Sequence, residues 1–217
     1  MKVTNNQRKF TQGFTLIEMI GVLAVIAILA SMLIPKIFEA INSARINNTI
    51  QSYNAIKTAV MDHYGKYGAI NFNGFTQQPA VAAELAAYDT GILLPEAMID
   101  KPFRARVGTA WIVQAVAGVA AGTAVNGANS AYDLDGSGAA ANDAAPATLV
   151  VECVIQGVAI ADALEISERL DGTFNAANPV NLTNANGSQA ADLAGRVKYG
   201  APAADGTTVV HIYVCHR

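Results

Sequence analysis

The feature that most constrains this chain is an apolar run from Phe14 to Ile34, in which Glu18 is the only ionisable side chain. At ~1.5 Å rise per residue, these 21 residues would form a helix of about 31 Å. That length matches the roughly 30 Å hydrocarbon thickness of a bilayer. A carboxylate one turn into such a helix costs on the order of 2.5–3.5 kcal/mol to insert, so Glu18 is a candidate functional residue that needs a partner.

The residues on either side of the apolar run are equally informative. A short basic leader ends in Gly13, the sequence then reads GFTLIE up to Glu18, and Pro35 follows the run. This combination resembles the N-terminus of type IV prepilins and of type II secretion pseudopilins. The specific part of the resemblance covers about residues 1–40, and a looser likeness extends along the helix to Gly68.

The resemblance implies a processing event and an assembly mode. A prepilin peptidase would cut between Gly13 and Phe14, and the new amino terminus of Phe14 would be N-methylated. Glu18 would then face the Phe14 ammonium of a neighbouring subunit, because an ammonium and a carboxylate sealed in a helical bundle neutralise each other. Pro35 belongs to the same assembly segment. The implied partners are further copies of the chain, the peptidase, the membrane and an inner-membrane assembly platform.

Several functions agree with these residues. The resemblance implies a structural subunit of a type IV pilus filament, with a pseudopilin of a type II secretion system as the alternative. A third hypothesis, from another class, is a membrane-anchored periplasmic binding module that stays monomeric with residues 1–13 uncut. The apolar run alone also agrees with a plain anchor in which Glu18 is incidental. A secretory signal peptide cleaved near Ala30 would have a poor small-x-small site.

Charge indicates the orientation in the membrane. The formal net charge is −3, and removal of the three leader cations leaves −6 from Phe14 onward, so nucleic acid is not expected as the main partner. The leader cations are Lys2, Arg8 and Lys9. They favour a single pass with a cytoplasmic N-terminus. The protein would lie in the inner membrane first, and in an extracellular pilus or a periplasmic pseudopilus after assembly.

The pattern predicts three segments and an α+β fold. These are a leader (1–13), a transmembrane assembly helix (14–35) and a globular domain (36–217). Beyond a kink at Pro35, apolar residues recur every three or four positions and predict an amphipathic extension that stops at Gly65, after about Tyr64, with Gly68 soon after. The residues predicted to face the core are Ile46, Ile50, Tyr53, Ile56, Val60, Tyr64 and Tyr67.

The second half of the chain predicts an antiparallel sheet of about four strands that covers this extension. Strands are expected near Trp111–Val116, Leu149–Ile155, Arg196–Tyr199 and Thr207–Cys215, with a helix at Val158–Leu170 that Gly172 ends. Alternation places Val209, His211, Tyr213 and Cys215 on one face of the last strand. The resemblance implies the same pilin-like arrangement of a long helix packed on a sheet.

Cys153 and Cys215 are the only cysteines, and in an oxidising compartment such a pair predicts a disulfide. It would close a loop of about 60 residues, stabilise the chain by roughly 4 kcal/mol, and fasten the last strand beside Leu149–Ile155. The alternative is a metal site formed by Cys215 with His211 or His216. That site lacks the four converging ligands of structural zinc.

A calcium loop is the one cofactor hypothesis. Asp133, Asp135 and Ser137 place oxygen atoms at alternate positions around a glycine, as in the first half of an EF-hand loop. The twelfth position is Ala144 instead of glutamate, so a polar turn is the other interpretation. No other cofactor is expected. The sequence has no catalytic motif that predicts an enzyme.

Overall fold

The computed structural model describes residues 15–68, 70, 88–116, 132, 134, 149–172, 195–200 and 202–216. The elements follow the order α1 (Leu16–Tyr67), a π-helical turn (Asp89–Leu93), β1 (Thr109–Val116), β2 (Leu149–Ala159), α2 (Ile160–Asp171), β3 (Val197–Tyr199) and β4 (Thr207–His216). The predicted α+β class is confirmed, because a long N-terminal helix precedes a four-stranded antiparallel sheet. The chain divides into two compact units, Met1–Ser43 and Ala44–Arg217, and the core belongs to the second.

Helix α1 includes Pro35 in its interior and ends later than predicted. Gly65 remains helical, and the helix continues to Tyr67. Gly68 adopts a left-handed φ of 68°, and its N–H donates to the carbonyl of Tyr64 at 2.8 Å. The predicted stop at Gly65 is therefore wrong by a few residues, because Gly68 adopts the conformation that closes the helix.

The second half of α1 buries one side, as the spacing predicts. The buried residues recur every three or four positions and are Ile46, Thr49, Tyr53, Ile56, Ala59, Val60 and His63. The prediction was wrong for Tyr64 and Tyr67, whose side chains are 42% and 41% exposed. His63 takes the core position that follows Val60, so the two tyrosines lie outside the buried stripe.

The sheet has the order β1-β2-β4-β3, and every neighbouring pair is antiparallel. The last strand therefore lies beside β2, as predicted. One face of the sheet forms the main core with α1 and α2. Its buried members include Ile46, Tyr53, Ile56, Val60, Ile112, Val151, Cys153, Ile155, Ala163, Ile166, Val197, Tyr199, Val210 and Ile212.

The two glycines at the end of α1 predict opposite mutational effects. Gly65→Ala is expected to stabilise the fold by about 0.5–1 kcal/mol, because Gly65 is helical and a Cβ there meets no atom within 4 Å. Gly68→Ala is expected to destabilise it by about 1 kcal/mol, because its φ of 68° is unfavourable for alanine. Urea unfolding of the full chain in detergent micelles measures both changes. Effects of the same sign would contradict this helix end.

Candidate functional site

The first half of α1 presents apolar side chains on all sides. From Thr15 to Lys36 every side chain is exposed except Ala30, which is partly buried. A helix that is apolar all round requires lipid or other helices around it. Within the described residues, α1 is the one helix whose length and composition suit a membrane span. This apolar helix fits membrane anchoring.

Glu18 has a partner within its own chain. The backbone N–H and the hydroxyl of Thr15 donate to Glu18 Oε2 at 2.8 and 2.7 Å. In return, the N–H of Glu18 donates to the Thr15 hydroxyl at 3.4 Å. The two residues form a capping box, in which each side chain bonds the backbone of the other and satisfies N–H groups that a helix start leaves free.

Sequence reasoning missed this role of Thr15, although the spacing Thr-x-x-Glu before an apolar run is its signal. The predicted partner of Glu18, the amine of Phe14, lies outside the described residues, as does Gly13. Cleavage between Gly13 and Phe14 and methylation of Phe14 stay predictions. Pro35, the third predicted assembly residue, is in α1.

The two cysteines lie on neighbouring strands and are free thiols. Cys153 is opposite Ile212, whereas Cys215 is opposite Val151, so the cysteines are diagonal neighbours. Val151 pairs with Cys215 and Glu152 pairs with Tyr213, so the register shifts by one residue of β4 at this point. Beyond the shift, the side chains of β4 that faced one side of the sheet face the other. Cys215 therefore packs against the main core, and its predicted place on the face of Tyr213 is wrong. Burial raises the pKa of Cys153 well above its usual range, and that of Cys215 to about 12.

The opposite face of the sheet holds a buried polar group that we call the outer-face cluster, composed of Tyr132, Glu152, Lys198 and His211. All four side chains are at least 95% buried. Glu152 accepts a hydrogen bond from the Tyr132 hydroxyl, and its Oε1 lies 3.3 Å from Nδ1 of His211. Lys198 Nζ lies 5.1 Å from the centre of the Tyr132 ring. The cluster fastens the residue Tyr132 to β2, β3 and β4.

A partial signal for this cluster is present in the sequence. Glu152 is the one acid in the β-branched stretch that forms β2, and a buried carboxylate needs a partner. Its partner His211 is 59 residues away, and the sequence alone offered no acid for this histidine. A second buried pair joins α1 to the chain after the π-helical turn. There Nδ1 of the completely buried His63 lies 2.7 Å from Glu96 Oε2.

The calcium hypothesis is not tested by the structure. Asp133, Asp135 and Ser137 lie outside the described residues. Among the residues that are described, no three histidine, cysteine, aspartate or glutamate side chains are placed to hold a metal ion. The alternative metal site at Cys215 is therefore without a set of three such ligands among the described residues. Calcium binding stays a prediction.

Comparison with known proteins identifies the N-terminal segment. Residues 8–34 match the family model described as the prokaryotic N-terminal methylation motif. This is the prepilin-type signal of type IV pilins and pseudopilins. The chain is therefore similar to precursors of these structural, non-enzymatic proteins. No curated protein and no solved structure gives a significant match.

The disulfide stays a prediction that a mass measurement tests. Diagonal neighbours lie about 7–8 Å apart, so closing the bond needs a small shift of the strand ends. For protein taken from the oxidising compartment and alkylated in denaturant, the disulfide predicts no labelled cysteine until a reductant is added. Two labelled cysteines without reductant would contradict the disulfide and agree with the free thiols of the structure.

Proposed function

We propose that the chain is a structural subunit of a type IV pilus filament, assembled through the apolar half of α1 after cleavage between Gly13 and Phe14. The observation that supports this most is the prepilin-type signal at residues 8–34, which continues into a helix with exposed apolar side chains on all sides. Before assembly the apolar half lies in the inner membrane. In the filament, the helices of other copies replace the lipid, and the filament is extracellular.

The geometry of Glu18 supports its role in assembly. Both hydrogen bonds from Thr15 end on Oε2. In the described part of the chain, Oε1 accepts no bond and is available for the Phe14 ammonium of a neighbouring copy. One carboxylate therefore caps its own helix and pairs with the next subunit. The ion pair sets the register of the copies, because both charges are then satisfied at one relative height only.

The pseudopilin alternative uses the same N-terminal signal, and its filament remains in the periplasm. A gene neighbourhood with a retraction ATPase favours the pilus, whereas a complete secretion operon favours the pseudopilus. The binding-module alternative predicts a monomer that retains residues 1–13. Surface filaments sheared from cells, and composed of the processed chain, would exclude both alternatives.

Substitution of Glu18 separates assembly from folding. Glu18→Ala removes the partner of the Phe14 ammonium, and breaking a buried ion pair from one side costs about 3–5 kcal/mol. The surface filament yield should therefore fall to background, whereas the amount of processed subunit in the inner membrane stays near wild type. Glu18→Gln should fail similarly, and Glu18→Asp should retain part of the yield.

Thr15→Ala is the matched control, because it removes the capping hydroxyl and leaves the carboxylate in place. Loss of a cap costs about 0.5–2 kcal/mol of helix stability. The Thr15→Ala chain should therefore still form filaments, at a yield between a reduced level and that of the wild type. If Thr15→Ala and Glu18→Ala lose filaments equally, Glu18 acts only as a cap. If Glu18→Ala forms filaments at wild-type yield, the register role is wrong.

A further inference from the structure

Three exposed cations are concentrated in the segment before β1, in a chain that is otherwise acidic. Lys101, Arg104 and Arg106 lie within six residues, and we call them the basic strip. Within the described residues, no hydrogen bond or ion pair is made by these three side chains. From Phe14 onward the chain carries a formal charge of −6. The exposed Asp100 lies next to Lys101 in the same groove, and the three cations still leave this segment with a local excess of positive charge.

The backbone of the basic strip is held in place. The N–H of Phe103, whose side chain is buried, donates to Asp89 Oδ2 at 2.9 Å. The N–H of Arg106 donates to the hydroxyl of Thr49 on α1 at 3.2 Å. Between the strip and α1 lies a groove of about 850 Å³ that the three cations help to line. The backbone thus presents the cations beside a concave surface, and only their side chains remain to be ordered on binding.

Helix α2 presents the opposite charge on a convex surface. Its buried side includes Ala163 and Ile166, which pack in the core. Asp162, Glu165 and Glu168 recur every three residues on the other side, which we call the acidic face. Arg169, the one cation of α2, contacts Glu165 and the side chain of Asn47 on α1.

The basic strip and the acidic face lie on different flanks of α1. The strip contacts α1 at Thr49, whereas α2 contacts it at Asn47. Because successive helical residues are about 100° apart, these two positions are separated by about 160° around the α1 axis. Two complementary surfaces that do not overlap allow a head-to-tail contact between copies. Such a contact continues into an open helical filament unless its rotation closes a ring.

We propose that the basic strip of one copy docks on the acidic face of α2 in the next copy of the filament. The inference rests on the proposed function, because it concerns contacts between the globular units of assembled subunits. The apolar helices supply the affinity, and the charges select the neighbour and its register. The contact is salt-dependent, because exposed charges are screened over a Debye length of about 8 Å at physiological ionic strength.

Charge reversal in the full chain tests the docking. Arg104→Glu/Arg106→Glu should lower the filament yield at least about tenfold, because like charges then face each other. Glu165→Arg/Glu168→Arg should do the same from the other side. The variant with all four substitutions should restore the yield, because the complementary charges are exchanged. The Arg106 bond to Thr49 comes from the backbone, so substitution of the side chain preserves it.

The controls separate docking from folding. The amount of subunit and its N-terminal processing should stay at the wild-type level in every variant. If Arg104→Glu/Arg106→Glu does not accumulate, Arg104→Gln/Arg106→Gln is used in its place. Asp62 is an exposed acid elsewhere on the domain. Asp62→Arg added to the reversed strip should therefore not restore filaments.

The outcomes for this inference and for the proposed function differ. An undiminished yield with the reversed or neutralised strip, in a strain where the wild-type chain forms filaments, would overturn the docking alone. Loss of filaments that Glu165→Arg/Glu168→Arg does not rescue, or equal rescue by Asp62→Arg, would also overturn it. Absence of filaments from the wild-type chain would instead contradict the proposed function.

Discussion

A carboxylate at the start of an apolar helix needs a partner, because a charge left alone among apolar groups is costly. In the described structure, the backbone N–H and the hydroxyl of Thr15 provide this partner to Glu18. In the proposed filament, the second carboxylate oxygen also receives the Phe14 ammonium of a neighbour. In this proposal, the bonds between Thr15 and Glu18 cap the helix while the subunit is in the membrane, and they are retained after assembly. The proposed pairing also sets the register of the copies, which apolar packing alone does not.

The second half of α1 is fastened to the domain by specific polar bonds as well as by its buried stripe. The hydroxyl of Thr49 donates to the carbonyl of Arg45 at 3.0 Å and accepts from the N–H of Arg106 at 3.2 Å. The Tyr53 hydroxyl donates to the carbonyl of Tyr213 at 2.6 Å, near the place where β3 begins. These bonds position the segment before β1 and the end of β4 on α1. The basic strip therefore has a fixed place on the domain.

Local patterns predicted much of this fold, and contacts between distant residues account for what they missed. The apolar run, the four strands and the place of the last strand beside β2 follow from composition, periodicity and pairing of the cysteine-bearing segments. The face of Cys215 could not be predicted, because strict alternation fails where the pairing of β2 and β4 shifts. The pairing of Glu152 with His211 depends on strand register between distant segments. The capping box is a local pattern, Thr-x-x-Glu before an apolar run, and the sequence alone is enough to predict it.

The most direct test is the N-terminal mass of the chain recovered from filaments sheared off the cell surface. The proposed processing predicts a single species that begins at N-methyl-Phe14, whereas cells without the prepilin peptidase should retain residues 1–13 and form no filaments. A chain that keeps residues 1–13 in the presence of the peptidase, or one cleaved near Ala30, would contradict assembly through the apolar half of α1.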